Sequence, residues 1–353
     1  MTFSNTFLLY GANGYTARLI LEKVAQFGLK PILCGRDETK LRSLAAQYGF
    51  DYRVADLADA GTLDAALQGV PVVLHCAGPF SKTALSMQQA CLRNGVHYLD
   101  ITGEIAVFEQ GAAIDTEAKK QGVMIMSGVG FDVVPTDCIA RYLKDKLPDA
   151  THLELAFAND GGAVSHGTAQ TAADGLGQGG LVRENGKLKA VGYAHNVLPV
   201  KFLNGQSLPC MSIPWGDIST AYYTTGIPNI ETFMAAEPMA IRFARMGNYL
   251  GWLLRQRWVQ RFVQQQITKR ITGPDEAKRS RAKTQVWGRA RNATGQSVEA
   301  RLSGPDGYDM TVLASLLITK KVLQGSAKAG FQTPAGLFGA DLVLEIEGVQ
   351  REG

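Results

Sequence analysis

With 353 residues, 46% of them hydrophobic and 19% charged, the chain is long enough for two domains with separate cores and has the balance of a soluble globular protein. A formal net charge of +4, spread along the chain, excludes nucleic acid as the main partner. No apolar run reaches the ~20 residues that span a bilayer, and Phe7 to Tyr10 runs into a glycine turn instead of a signal-peptide core, so the expected compartment is the cytosol.

The first predicted elements lie in Phe7 to Arg36, F-L-L-Y-G-A-N-G-Y-T-A-R-L-I-L-E-K-V-A-Q-F-G-L-K-P-I-L-C-G-R. An apolar run stops at Gly11, Gly14 and Ala17 follow at three-residue spacing, and Leu19, Ile20, Val24 and Phe27 keep a helical period. This is a strand, a tight turn and a helix. Gly11 permits the sharp exit, Gly14 removes the Cβ that would hold a pyrophosphate off the backbone, and Ala17 lets helix and strand pack closely. The new helix then meets phosphates with its unpaired N–H groups and the positive end of its dipole. A second strand, Pro31 to Cys34, ends at Gly35-Arg36. An acidic residue at that point accepts from the ribose 2′-hydroxyl of NAD, whereas an arginine reads a 2′-phosphate. Arg36, with Lys40 or Arg42 beside it, therefore predicts NADP(H) in preference to NAD(H), and Asp37 would soften that preference if it turned toward a ribose.

Short apolar runs then alternate with helical patterns. Asp37 to Gln47, Ala60 to Leu67, Leu85 to Asn94 and Glu109 to Gln121 read as helices; Tyr52 to Ala55, Val72 to Cys76, His97 to Asp100 and Val123 to Met126 read as strands. The alternation predicts a six-stranded parallel sheet of the doubly wound Rossmann type, with the cofactor lying across the carboxyl edge. After the fourth strand, Ala77 and Gly78 are small enough for the backbone to approach ribose and nicotinamide, and Pro79 stiffens the loop. His75 lies inside the apolar run and is expected to be an inward strand residue. The fifth strand leads to H-Y-L-D-I-T-G-E, placing Asp100 and Glu104 at the same edge, and G-V-G-F-D-V-V-P-T-D after the sixth places Asp132 there. Such carboxylates polarise a substrate, exchange its proton, or cap helices and fix loops; Glu104 and Asp132 are the catalytic candidates.

The alternation changes near Gly128. Leu153 to Ala158, Leu198 to Phe202 and Ala221 to Thr225 read as broken strands in a stretch rich in Gly, Ser and Thr, and Lys283 to Leu302 reads as a hairpin turning near Asn292 to Gln296. A second, α+β domain is expected. Tyr142 and Lys146 match Y-x-x-x-K, with Ser127 upstream, but they follow the sixth strand, where short-chain dehydrogenases place the pair after the fifth. Met239 to Ile271 carries Arg242, Arg245, Arg255, Arg257, Arg261, Lys269 and Arg270, with no acid between Pro238 and Pro274. Met246, Leu250, Leu253, Leu254, Trp258, Phe262 and Ile267 form a rough apolar stripe along it. A basic amphipathic segment of this kind lies on an anionic membrane or encloses a greasy pocket; its plainer reading is a helix pair packed on its own domain or on the partner in a homodimer. The five cysteines, Cys34, Cys76, Cys91, Cys138 and Cys210, are odd in number and widely spaced, which predicts free thiols and neither a disulfide frame nor a metal site.

In their order along the chain, G-A-N-G-Y-T-A, C-G-R-D-E-T-K-L, A-G-P-F, H-Y-L-D-I-T-G-E and G-F-D-V-V-P-T-D resemble the saccharopine dehydrogenase-like oxidoreductases, including the bacterial trans-acting enoyl reductase branch. Gly273-Pro274, then G-P-D-G-Y-D-M-T from Gly304 and G-F-Q-T-P-A from Gly330, extend the likeness toward the C-terminus. The resemblance implies an NAD(P)-binding Rossmann domain over residues 1–130, a second α+β domain for substrate or dimerisation over 131–325, and a C-terminal segment, 326–353, returning to the first. It also implies that Gly11, Asn13, Gly14, Tyr15, Thr16, Arg36, Ala77, Gly78, Pro79 and Phe80 touch the cofactor. The implied activity is hydride transfer between NADP(H) and a small or lipid-like substrate, an enoyl, imine or carbonyl compound. Saccharopine itself needs convergent arginines, and Gly161 to Gly180 contains none, whereas the basic residues gather in the apolar 239–271 segment. A saccharopine-type amino-acid dehydrogenase, and a non-catalytic or membrane-peripheral nucleotide-binding protein, are the alternatives.

Overall fold

The computed structural model describes residues 4–160, 179–249 and 281–353, together with Gln256, Val259 and Arg279. The chain divides into two units, one of Met1–Val134 and Tyr308–Leu337, the other of Pro135–Gly307 and Phe338–Gly353. Residues 161–178, and all of 239–271 beyond Tyr249 except Gln256 and Val259, lie outside the described residues, so the readings made on them are not developed structurally.

In the first unit the elements run β1 (Thr6–Tyr10), α1 (Tyr15–Lys23), β2 (Lys30–Gly35), α2 (Glu38–Tyr48), β3 (Tyr52–Val54), α3 (Ala60–Leu67), β4 (Val72–His75), α4 (Phe80–Asn94), β5 (His97–Asp100), α5 (Ile105–Ala113), α6 (Asp115–Gln121) and β6 (Met124–Met126). The strands pair in parallel in the order β6-β5-β4-β1-β2-β3, so the order reverses between β1 and β4. β4 and β6 are buried throughout and β1 beyond Thr6, as unbroken apolar runs covered by helices on both faces must be. Phe7, Leu8, Leu9, Tyr98 and Phe108 are fully buried there; each side chain of this kind contributes ~1.5–3 kcal/mol of burial. Asp37 and Asp59 start α2 and α3 by accepting backbone N–H groups from Lys40 and from Gly61 and Thr62. Two expected helices differ in extent: α4 begins five residues before Leu85, at Phe80, and the expected Glu109 to Gln121 helix is two helices meeting at Ile114.

The second unit holds most of α7 (Val134–Lys146), then β7 (Ala150–Asp160), β8 (Gly180–Glu184), β9 (Lys187–Val191), β10 (Val197–Lys201), β11 (Ser207–Ser212), α8 (Asp217–Thr225), β12 (Asn229–Ala235), α9 (Pro238–Gly247), β13 (Lys283–Asn292) and β14 (Ser297–Pro305). Its sheet is mixed, with β7 parallel to β12 and antiparallel to β13. A Cβ at Gly288 of β13 would stand 2.5 Å from Ile139 and 2.8 Å from Leu143, so α7 packs on the sheet where β13 has no side chain. The β13–β14 turn is tied by Asn292, whose Oδ1 accepts from Thr294 N, Thr294 Oγ1 and Gln296 N. Ala221 to Thr225 is helical, which corrects its reading as a strand. Its Thr and Tyr residues favour strands, but Gly226 closes the helix at φ 70° and the Thr225 hydroxyl donates back to the Ala221 carbonyl at 2.6 Å.

The chain re-enters the first unit with α10 (Gly307–Lys321), and β15 (Gly330–Phe331) adds a seventh parallel strand on the open edge of β6. Asp115 Oδ1 accepts from Phe331 N at 2.9 Å and holds it there. After α11 (Pro334–Phe338) the chain leaves again, and β16 (Gln350–Glu352) pairs with β14. The return expected over 326–353 thus starts earlier, at Tyr308, and ends at Leu337, because the free edge of β14 takes up the last strand. Tyr142 of α7 belongs to this closure: its hydroxyl donates to the Gly353 carbonyl, and Arg351 lies over its ring at 4.1 Å with Lys146 at 5.3 Å.

Candidate functional site

The first unit brings its expected site residues together at the carboxyl edge of the parallel sheet. Gly11 has a φ of +80°, and a Cβ there would stand 2.9 Å from the backbone nitrogen and Cβ of Ala77. Both the backbone angle and the neighbouring loop therefore demand glycine. At Gly14 a Cβ would meet the Gly11 carbonyl at 3.1 Å. Gly14 is also the residue at which α1 begins, with no side-chain cap and no acid in the first turn, so the helix presents its positive end to whatever occupies the turn. Asn13 Oδ1, in that turn, is buried without a hydrogen-bond partner. Cleared backbone, an uncapped helix and an orphaned acceptor fit the pyrophosphate and ribose of a dinucleotide. Tyr15 and Thr16 are partly exposed at the start of α1, and the Tyr15 ring stands edge-on to Tyr308 of α10 with centroids 5.2 Å apart.

Arg36 follows β2 and is exposed. Asp37 does not face a ribose, because its carboxylate caps α2 through Lys40 N at 3.1 Å and pairs with the Lys40 ammonium at 3.1 Å. Arg42 pairs with Glu38 at 2.7 Å. The two expected helpers, Lys40 and Arg42, are thus each paired with a neighbouring acid.

Beside the turn, His75 to Phe80 leaves β4 through a cis Gly78-Pro79 peptide. The Thr83 hydroxyl sits against this loop, 2.7 Å from the Ala77 carbonyl and 3.1 Å from that of Pro79. His75 is fully buried between Tyr10, Phe80 and Tyr98, and burial pushes its pKa down to about 3, so it stays neutral. Glu104 holds the loop from the other side. Its Oε1 accepts from Phe80 N at 2.7 Å and its Oε2 from Ser81 N at 2.9 Å, capping α4 with both oxygens. Both of its oxygens thus serve the helix, the capping role open to an edge carboxylate beside proton transfer or substrate polarisation.

Asp132 sits in the loop after β6, where a Cβ on Gly103 would come within 2.5 Å of its Oδ2. Burial pushes its pKa up to about 7 although the residue keeps some surface exposure, the condition of a carboxyl that exchanges protons near neutrality. The Phe131 N–H donates to Thr311 Oγ1 of α10 at 3.0 Å, so the returning helix anchors this loop. Two features lay beyond sequence reading. Tyr308 reaches Tyr15 beside the glycine turn from about 300 residues away and Thr311 reaches the Asp132 loop from 180, and no local pattern brings either there; Asp100 was legible as an edge carboxylate but its partners were not. No group of His, Cys, Asp and Glu able to hold a metal occurs among the described residues, and no described helix is long and apolar enough to cross a membrane.

A family model for the saccharopine dehydrogenase NADP-binding domain matches residues 7–126, the stretch holding the glycine turn, Arg36, the Ala77–Phe80 loop and Glu104. Residues 7–126 are thus similar to the NADP-binding domain of saccharopine dehydrogenase, the domain on which the family likeness of the chain rests. It is 31% identical over 217 residues to a lipid droplet localized protein of Caenorhabditis elegans, covering 56% of this chain and 50% of that protein. To the trans-acting enoyl reductase of Mycobacterium leprae it is 33% identical over 163 residues, 42% of this chain and 39% of the other. The chain thus matches half or less of the length of these relatives. The apo structure of saccharopine dehydrogenase (L-Glu forming) from Saccharomyces cerevisiae superposes with a TM-score of 0.67 at 12% identity, over 98% of this chain and 99% of that one, a likeness of fold.

Proposed function

We propose that this chain is an NADP(H)-dependent oxidoreductase that transfers hydride to or from a small or lipid-like substrate carrying an enoyl, imine or carbonyl group. The observation that carries the reading is the turn at Gly11 to Tyr15, with its excluded side chains, uncapped helix and orphaned Asn13 Oδ1, next to an exposed Arg36 whose acidic neighbour faces elsewhere. Bound NADP(H) supplies the hydride at its nicotinamide ring. The residues of the chain do the rest: Gly11 and Gly14 admit the pyrophosphate, Arg36 grips the 2′-phosphate, and Ala77 to Phe80 give the ribose and nicotinamide a close backbone wall. Asp132 gives or takes the substrate proton at its carboxyl. Parallel titration with NADPH and NADH, followed by NADPH oxidation against a panel of enoyl, imine and carbonyl compounds, tests the reading; equal affinity for the two nucleotides would refute its cofactor half. Turnover of glutamate plus an aldehyde would move the assignment to an amino-acid dehydrogenase.

A second reading, attachment to a lipid surface, rests on α9. Ile241 is its buried anchor, whereas Met239, Phe243 and Met246 are exposed at helical spacing, with Phe243 63% exposed and Arg242 and Arg245 beside them, and Tyr249 is exposed in the turn that follows. A relative is named for lipid droplets. Flotation with anionic vesicles should occur for the wild type and be lost on replacing Phe243 and Met246 with Ser; flotation unchanged by those replacements would remove α9 from the role.

A further inference from the structure

Asp100 ends β5 with no exposed surface and takes four donors. Its Oδ1 accepts from Thr102 N at 3.0 Å and Gly128 N at 2.9 Å, and its Oδ2 from Tyr98 Oη and Ser127 Oγ, each at 2.8 Å. Only the ionised carboxylate can accept all four, since a carboxyl proton would displace one of them. The bonds continue on both sides. Thr102 Oγ1 accepts from Glu104 N at 3.0 Å, and Glu104 caps α4 directly after the Ala77–Pro79 loop. On the other side Gly128, at φ +77°, and Val129, whose N–H donates to the Asp100 carbonyl at 2.8 Å, open the loop that carries Asp132.

We propose that Asp100 is the positioning residue of the site, a buried carboxylate that holds the cofactor-facing Ala77–Phe80 loop and the Asp132 loop in one fixed arrangement. It touches neither cofactor nor substrate. This deepens the oxidoreductase reading and rests on it, because the two arms it joins are those assigned to nicotinamide and proton transfer, where a 1 Å misplacement costs on the order of a hundredfold in rate. A carboxylate buried with no cation among its hydrogen-bond partners is worth keeping only where its geometry matters.

Burial pushes the Asp100 pKa up to about 6, against the pull of its four donors. The groups facing it do not titrate in that range: Tyr98 on its own strand and Cys76 on β4 are pushed up by burial, His75 on β4 is held neutral, and Ser127 carries no charge. Asp132, pushed up to about 7, lies on the loop that Gly128 and Val129 open and is present in both wild type and Asp100→Asn. Acidification through pH 6 therefore adds a proton to Asp100, releases a donor and loosens both loops.

The test compares wild type, Asp100→Asn and Asp100→Ala, using NADPH affinity by fluorescence and amide hydrogen exchange. Asp100→Ala is expected to weaken NADPH at least tenfold at pH 7, and Asp100→Asn, which keeps the shape and two acceptor bonds, to restore most of the loss. If the bound form excludes a proton of pKa about 6, wild-type affinity falls ~tenfold from pH 7 to pH 5 beyond the fall in Asp100→Asn. The difference is the readout because the ligand 2′-phosphate titrates in the same window (about 6) in both proteins. Protection factors at Thr102, Gly128 and Val129, taken against the intrinsic exchange rate at each pH, should fall in Asp100→Ala, and on acidification in wild type but not in Asp100→Asn. An acid limb identical in wild type and Asp100→Asn, or unchanged protection of those amides in Asp100→Ala, overturns the proposal. If Asp100→Ala does not fold, the wild-type and Asp100→Asn comparison decides alone. Failure of wild type to bind NADPH at pH 7 would refute the cofactor reading, and the exchange data would still judge Asp100.

Discussion

Replacing Arg36 with alanine should weaken NADPH and leave NADH nearly untouched. A hydrogen bond to a charged group contributes ~1.5–3 kcal/mol. Arg36 is exposed, so solvent screening places its contact with a 2′-phosphate at the low end of that range. At ~1.4 kcal/mol per factor of ten, the loss is about tenfold in Kd. Lys40 and Arg42 are poor substitutes, since Asp37 lies 3.1 Å from one and Glu38 2.7 Å from the other. Salt sharpens the test: raising the ionic strength should narrow the gap between wild type and Arg36→Ala for NADPH and do little to NADH. The measurement is a fluorescence titration of both proteins with both nucleotides in low salt and at ~0.5 M, where the Debye length falls well under 10 Å. An equal loss for NADPH and NADH, or no loss for either, would show that Arg36 does not read the 2′-phosphate.

Glu104→Gln is expected to lower thermal stability by about 1 kcal/mol, or ~2–4 °C, because an amide can accept at only one of the two α4 N–H groups; unchanged melting with lost turnover would return Glu104 to a catalytic role. In the direction of reduction, turnover should decline as pH rises through about 7, where Asp132 loses the proton it donates, and Asp132→Asn should abolish that dependence. The stability effect has the same sense. The folded carboxyl pKa lies above the unfolded one, so its stabilising contribution is complete below ~4, is lost as pH rises through about 7, and Asp132→Asn should be the more stable protein at pH 8. Gly288→Ala should destabilise the second unit by ~1–3 kcal/mol through overpacking against Ile139 and Leu143, read by chemical denaturation; a neutral effect would mean that α7 shifts freely on β13.

The parallel unit was legible because its signals are local. Strand, glycine turn and helix follow one another within Phe7 to Lys23, and the helices after β2 and β3 keep their apolar period over Asp37 to Gln47 and Ala60 to Leu67. The second unit was read less well. Ala221 to Thr225 carries strand formers but is helical, since its preference is set by Gly226 and by hydroxyls that bond back along the chain. Glu104 and Asp132 looked alike as carboxylates on one edge. Packing separates them, because two N–H groups claim Glu104 while burial raises Asp132.

What the residues alone determined was the doubly wound sheet and the nucleotide turn, because backbone angles at glycine, apolar period and helix polarity act within a few residues of one another. Which carboxylate caps a helix, which is buried among four donors and which is raised by burial was decided only by the folded chain. Those roles depend on the Phe80 N–H and the Ser127 hydroxyl as donors and the Thr311 hydroxyl as acceptor, brought to Glu104, Asp100 and the Asp132 loop across up to 180 residues of sequence. Hydrogen bonding and desolvation act over a few ångströms in space, whatever the separation along the chain.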